Sequence, residues 1–92
     1  MDKPTAAALL SQPLLRKVFD CVVNTRPYIL LSDIARQASR EEVSRSLEQL
    51  KVAGLIEEHP GPLEDFNTYH ASAKGMSDHR LLSQFEKKLD PT

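Results

Sequence analysis

The sequence predicts an α+β domain that is mainly α: three helices, a two-stranded β-hairpin and a C-terminal helix. Three observations carry this prediction. Apolar residues recur at helical spacing near both ends of the chain, a helix-capping motif stands at Ser39-Arg-Glu-Glu42, and two strand-like stretches flank Pro60-Gly-Pro62. A run of helices followed by a hairpin is typical of small α+β folds.

Length and composition fit one globular domain. The chain has 92 residues, of which 40% are hydrophobic, and this suits a single core and is too apolar for a disordered segment. We therefore expect one domain over 1–92, with its core over about 12–82. Residues 1–10 would form an N-terminal arm or an extra helical turn, and the C-terminal helix would span about 73–89.

The first helix is predicted to begin just after Ser11, whose hydroxyl is placed to cap it. Apolar side chains at helical spacing form one face there, namely Leu14, Leu15, Val18, Phe19, Val22 and Val23. The helix should end near Asn24, because Pro27 disfavours helical backbone in the residue before it.

A strand and a short second helix should follow. Residues 28–31 form a brief apolar stretch after a proline, which suits a strand or an extended segment. Ser32 can then cap a helix over about 33–38 that buries Ile34, Ala35 and Ala38.

The third helix, over about 40–53, has the best-marked ends. The Ser39 hydroxyl can accept the Glu42 N–H, and the Glu42 carboxylate can reach back to the N–H of Ser39. Gly54 lies just past the last turn, where a left-handed residue would stop the helix. The buried face is predicted to carry Val43, Leu47 and Leu50.

Two strands after the third helix should pair as a hairpin. Residues 55–59 read as one strand, which Pro60 prevents from continuing. Residues 67–72 alternate, with Tyr69 on one side and His70 on the other.

Three motifs resemble the winged helix-turn-helix regulators of the MarR, ArsR and PadR groups. Val43–Ile56 resembles their recognition helix and first wing strand. Tyr69–Gly75 resembles the second wing strand running into the next helix, and Ser32–Ala35 resembles the start of the second helix. The resemblance spans about 12–82 and implies a winged-helix fold, with the hairpin as the wing.

The resemblance also implies a transcriptional regulator whose third helix enters the major groove of double-stranded DNA. With Val43, Leu47 and Leu50 inward, helical spacing predicts an outward face of Glu41, Ser44, Arg45, Glu48, Gln49 and Val52. On this face Arg45 could read guanine and Gln49 could read adenine. Ser44 and Arg40 are candidates for phosphate contacts.

Charge supports an alternative function. The net charge is −1, without the basic excess that phosphate binding favours. Glu41 and Arg45 are spaced to pair with each other on a solvated helix face. The wing is acidic, through Glu57, Glu58, Glu64 and Asp65, and forms either a solvated loop or an acidic docking surface. A winged helix that binds another protein, and not DNA, therefore stays open beside the regulator.

The C-terminal helix carries an apolar stripe of Leu81, Leu82, Phe85 and Leu89. Part of it should close the core. The resemblance favours a homodimer that pairs through the rest of this helix, because a two-fold dimer places two recognition helices about one turn of DNA apart.

Other functions find little support in the sequence. Cys21 is the single cysteine, and no apolar run approaches membrane-spanning length, so we expect a cytoplasmic protein without a membrane partner. His59, His70 and His79 read as surface residues without zinc-site spacing, and no metal or cofactor is predicted. No phosphate-binding loop or nucleophile motif stands out, so an enzyme is not expected.

Overall fold

A computed structural model describes residues 3–63 and 66–89, with the backbone alone for Gln37 and for 87–89. Its elements follow in the order α1 (Lys3–Ser11), α2 (Pro13–Asn24), β1 (Ile29–Leu30), α3 (Leu31–Ile34) with a 3₁₀ turn (Ala35–Gln37), α4 (Arg40–Val52), β2 (Ile56–His59), β3 (Thr68–Ala71) and α5 (Ala73–Leu89). Glu64, Asp65 and the side chain of Leu89, all named in the predictions above, lie outside this description. No helix in the described ranges is long and apolar enough to cross a bilayer.

The predicted first helix is α2, and it ends at Asn24 as expected. The prediction that Ser11 caps it is wrong. Residues 3–11 form a separate helix, α1, and the Ser11 hydroxyl donates to the Ala7 carbonyl inside it at 2.7 Å. Gln12 alone separates α1 from α2 and occupies the N-cap position without a side-chain hydrogen bond. Leu9 of α1 is buried, so this segment is part of the packed structure.

The second helix begins two residues earlier than predicted. It starts at Leu31, and Leu30 stands at its N-cap position, so the expected cap at Ser32 is wrong. The reason lies in the sheet. The Leu31 N–H donates to the Asn67 carbonyl at 3.0 Å. The side chain of Leu31 is buried, and it fixes the first turn directly after β1.

The sheet has three antiparallel strands in the order β1-β3-β2, one more than the predicted two-stranded hairpin. Strand β3 lies in the middle, with Tyr69 opposite both Ile29 of β1 and Glu58 of β2. The predicted alternation along β3 is confirmed, because Tyr69 is buried and its neighbour His70 is only partly covered. Because β3 is hydrogen-bonded to a strand on each side, the sheet holds it more firmly than β2, the other strand of the wing.

Helix α2 supplies the centre of the core. Its buried residues are Leu15, Val18, Phe19, Val22 and Val23. They pack with apolar side chains from α1, α3, α4, α5 and the sheet, including Leu9, Ile34, Leu47 and Leu82.

Polar contacts attach α5 to α2. Arg16 binds both Asp20, at 2.8 Å, and Glu86 of α5, at 2.7 Å. His79 of α5 reaches Asp20 through Nε2 at 2.7 Å, and its ring meets Phe19 edge-on at a centroid distance of 5.2 Å. The expectation that His79 is a surface residue is therefore wrong, since its side chain lies between two helices.

Candidate nucleic-acid interface

Helix α4 is fixed at its start by a side-chain cap. The Ser39 hydroxyl accepts a hydrogen bond from the backbone N–H of Glu42 at 3.2 Å, as the capping motif predicts. Glu41 and Glu42 place negative charge in the first turn, where unpaired N–H groups carry partial positive charge. The helix consequently begins at Arg40, where the sequence predicts it.

A Schellman motif closes the other end of α4. Gly54 has a φ of 78°, a left-handed conformation that a residue with a Cβ rarely adopts. The Gly54 N–H donates to the Lys51 carbonyl at 2.9 Å, and the Leu55 N–H donates to the Leu50 carbonyl at 3.0 Å. Leu50 and Leu55 are both buried. A helix held at both ends presents its outer face in one orientation.

The inner face of α4 packs mainly on α2. Its buried residues are Val43, Ser46, Leu47 and Leu50. The opposite face is the one predicted to point outward, comprising Glu41, Ser44, Arg45, Glu48, Gln49 and Val52. All of these are exposed except Ser44, which is half-buried. Helical spacing therefore predicted the orientation of α4 correctly.

The structure brings three of the four predicted contact residues together. A shallow depression on α4 is bordered by Arg40, Glu41, Ser44, Arg45 and Glu48. Gln49 lies outside it, in a neighbouring groove against the start of α2 that Arg45 also borders. The depression carries two positive and two negative side chains, so its charge is balanced.

Arg45 and Glu41 form the pair that their spacing predicts. The guanidinium lies 3.2 Å from the Glu41 carboxylate, and the two side chains are 75% and 81% exposed. Solvent screens such a pair, and exposed ion pairs contribute only about 0–1 kcal/mol. Glu41 therefore orients Arg45 in the free protein without holding it strongly.

Lys51 connects the end of α4 to the wing. Its ammonium lies 3.2 Å from the Glu58 carboxylate on β2, which also accepts a hydrogen bond from the Tyr69 hydroxyl at 2.5 Å. The bond from Tyr69, reinforced by Lys51, holds the pKa of Glu58 below its usual value against partial burial. The bond to Glu58 in turn raises the pKa of Lys51. This cluster fixes the angle between helix and hairpin.

A second set of contacts joins the end of α4 to the start of α5. The Ser72 hydroxyl donates to the Gly54 carbonyl at 2.6 Å and accepts from the Gly75 N–H at 2.9 Å. Lys74 donates to the Ala53 carbonyl at 3.2 Å. These contacts were not predicted from the sequence, although Ser72 stands three residues before the N–H that it caps, which is the N-cap spacing.

Of the four predicted wing acids, Glu57 and Glu58 are the two within the described residues. Glu57 is exposed and pairs with His70 at 2.6 Å. Glu58 faces the other side of the hairpin and is bound by Lys51 and Tyr69. Alternation along β2 turns Glu58 toward Tyr69 and Lys51, so Glu57 is the one of these two acids that stays available to the docking surface left open above.

Cys21 is half-buried in α2. Burial raises the pKa of its thiol. A raised pKa keeps the sulfur in the thiol form, which is the less nucleophilic one. This environment does not favour a reactive cysteine.

The chain is similar in fold to solved transcriptional regulators. FabT of Streptococcus pneumoniae, solved in complex with DNA, has a TM-score of 0.67 and 23% identity over 86% of this chain and 56% of FabT. The reduced form of the regulator YodB from B. subtilis has a TM-score of 0.74 and 14% identity, covering 95% of this chain and 89% of YodB. A possible HxlR family transcriptional factor from Thermoplasma volcanium has a TM-score of 0.70 and 23% identity, covering 100% and 88%.

These likenesses establish the fold. The protein is a winged helix-turn-helix domain, as the sequence motifs predict, with α3 and α4 as the helix-turn-helix and β2–β3 as the wing. It spans about half the length of FabT and most of the length of the other two. No protein-family model and no curated protein sequence matches the chain.

Proposed function

We propose that this protein is a DNA-binding transcriptional regulator that places α4 in the major groove. The arrangement of side chains on the outer face of α4 is the main support for this proposal. There Arg40, Ser44 and Arg45 border one depression on a helix whose two ends are both fixed. The fold, similar to that of a regulator solved in complex with DNA, supports the same function.

Each residue of this face has a role that suits its position. Arg45 donates two parallel hydrogen bonds to guanine, a contact worth about 1–3 kcal/mol of discrimination. That exceeds the about 0–1 kcal/mol of an exposed pair such as the one with Glu41. Arg40, in the first turn of α4, and Ser44 bind phosphate, while Gln49 reads adenine from the adjacent groove.

The regulator acts as a homodimer through α1 and α5. The exposed apolar side chains of Leu10, Leu81 and Phe85 border a shared depression between these helices with Ala6 and Leu82. A patch formed by one helix pair can meet its own copy across a two-fold axis. Such a dimer presents two α4 helices to the two half-sites of a palindromic operator.

The experiment that tests this assignment compares Arg45→Ala with Lys17→Ala. The probe is a set of duplexes enriched by the wild-type protein from a random-sequence library. We expect Arg45→Ala to weaken binding by about 5- to 150-fold, equivalent to about 1–3 kcal/mol, and to relax the preference at one base pair. Lys17 is exposed on α2, and its loss should leave that preference unchanged. Equal effects of the two substitutions would contradict the assignment.

A protein-binding module is the second candidate function. It is favoured by the net charge of −1 and by the exposed acids Glu41, Glu48 and Glu57. Glu57→Lys tests it, because Glu57 is the exposed one of the two wing acids that the structure describes. Recovery of the same protein partner by wild type and Glu57→Lys would exclude the wing from that interaction.

A further inference from the structure

The solvent face of the wing gathers metal-ligating side chains from both of its strands. In the antiparallel register, Glu57 of β2 lies directly opposite His70 of β3. His59 follows Glu57 by two residues on β2 and therefore points to the same face. It lies diagonally across from His70, within reach of a long side chain. Three potential ligands thus converge although 10 residues stand between His59 and His70 in the sequence.

The side chains are already close in the structure. His70 Nε2 lies 2.6 Å from a Glu57 carboxylate oxygen. The rings of His59 and His70 stack with centroids 4.8 Å apart and planes 13° from parallel. One ligand atom from each of the three residues lies within 4.8 Å of the other two.

We propose that Glu57, His59 and His70 form a binding site for a divalent transition-metal ion, and Zn²⁺ is the ion that we expect. Two imidazoles and one carboxylate are a ligand set that zinc accepts, with a fourth position left to water. Ligands around tetrahedral zinc stand about 3.3 Å apart, as bond lengths near 2.0–2.1 Å require. The ligand atoms, at most 4.8 Å apart, therefore need to approach by roughly 1.5 Å or less. The stacked imidazole rings must also turn so that their nitrogen lone pairs meet at one ion.

The wing can supply this movement without distorting its backbone. Glu57 and His59 are exposed and His70 is half-buried, so the side chains can turn. Glu57 and His59 lie on β2, which pairs with β3, and His70 lies on β3, which pairs with β1 as well. This pairing holds the three Cα positions. The ion would take the place of the direct contact between His70 Nε2 and the Glu57 carboxylate. This site lies on a different element from the α4 face and does not depend on DNA binding.

The test uses the full chain, purified without a histidine tag and treated with a chelator, titrated with ZnCl₂. Calorimetry measures the affinity, and long-range ¹H–¹⁵N spectra report the imidazole nitrogens. We expect one saturable site, with the ring nitrogens of His59 and His70 shifting together while those of His79 stay unchanged. His59→Ala and His70→Ala should each weaken binding about tenfold or more, the loss that even outer-shell partners cause. Mg²⁺, which prefers oxygen ligands, should not displace Zn²⁺.

Matched variants separate this site from nonspecific zinc binding. Thr68 lies opposite His59 on the same face of the hairpin, and Thr68→Ala should retain the wild-type affinity. Glu57→Gln, which preserves the size of the side chain, should weaken binding as the histidine variants do. The proposal is overturned if wild type shows no saturable Zn²⁺ binding. It is also overturned if both histidine substitutions leave the affinity unchanged.

Discussion

At the residue scale, two glycines determine how the wing and α5 attach to α4. Gly54 ends α4 with a positive φ. Gly75 lets the start of α5 approach the backbone at Leu55, directly before β2, because a Cβ there would lie 1.8 Å from the Leu55 carbonyl oxygen. Both positions belong to motifs that resemble winged-helix regulators, and the structure supplies the physical reason for each.

Gly75→Ala should destabilise the fold by about 1–3 kcal/mol or more, because the new methyl group overlaps backbone that cannot move independently. For a domain of this size the melting temperature should fall by about 4–8 °C for each kcal/mol. Thermal unfolding followed by circular dichroism measures it. Ser77→Ala, at an exposed position of the same helix, should stay within about 0.5 kcal/mol of wild type. Equal stability of the two variants would contradict the close approach.

At the element scale, the parts that the sequence predicted well are those with local signals. The cap at Ser39, the stop at Gly54 and the apolar spacing between them determine the bounds and orientation of α4. Contacts between distant segments were missed, because nothing near Lys51 indicates that Glu58 and Tyr69 will meet it. The prediction that Ser11 caps α2 was wrong for a related reason, since the packing of Leu9 extends α1 through that position.

The candidate interface and the wing cluster differ in the same way: a local pattern predicted the first, and the second depends on contacts between distant segments. Helical spacing placed Ser44, Arg45 and Gln49 on one face. The depression that joins Ser44 and Arg45 with Arg40 lies within a single helix. The wing cluster of Glu57, His59 and His70 depends on strand register, which the sequence did not specify to the residue. The spacing of the histidines along the sequence therefore did not indicate a metal site.

The contact between Glu58 and Tyr69 predicts a pH dependence of stability. The folded-state pKa of Glu58 lies below 4.5, so the ionised carboxylate stabilises the fold above that pH. This stabilisation is lost as the pH falls below 4.5 and through the lower folded-state pKa. Urea unfolding at pH 6 and at several values below 4.5 should show a smaller loss for Glu58→Gln than for wild type.

Tyr69→Phe provides the companion variant, because it removes the hydroxyl that donates to Glu58 and preserves the ring. It should reduce the acid-induced loss in the same direction as Glu58→Gln. Parallel curves for wild type and both variants between these pH values would show that Glu58 gains no stabilisation from this contact.

At the scale of the whole molecule, one long α5 and a small core leave apolar surface exposed. The chain measures 46 × 26 × 23 Å, and its radius of gyration of 13.0 Å exceeds the about 12 Å of a compact domain of this length. Leu10, Leu81 and Phe85 remain exposed along α1 and α5. Pairing of two copies would cover this surface and enlarge a thin core.

Phe85→Glu should abolish the proposed dimer, because it places a charge among the apolar side chains of the proposed interface. Gln84→Glu adds a charge at the adjacent exposed position of α5 and should leave the dimer intact. Sedimentation equilibrium measures the mass of each. A wild-type mass equal to that of one chain at micromolar concentration would exclude this dimer.

The most direct test of the central claim is fluorescence anisotropy of the wild-type protein with a mixed-sequence duplex of roughly 30 base pairs, about three helical turns. The titration is run at roughly 50 mM and 200 mM salt, since phosphate contacts make affinity fall linearly with salt on logarithmic axes. A regulator that reads DNA through α4 should bind at low salt and weaken steeply at high salt, with a slope that counts its phosphate contacts. No binding at low salt would contradict the proposed function and favour the protein-binding alternative.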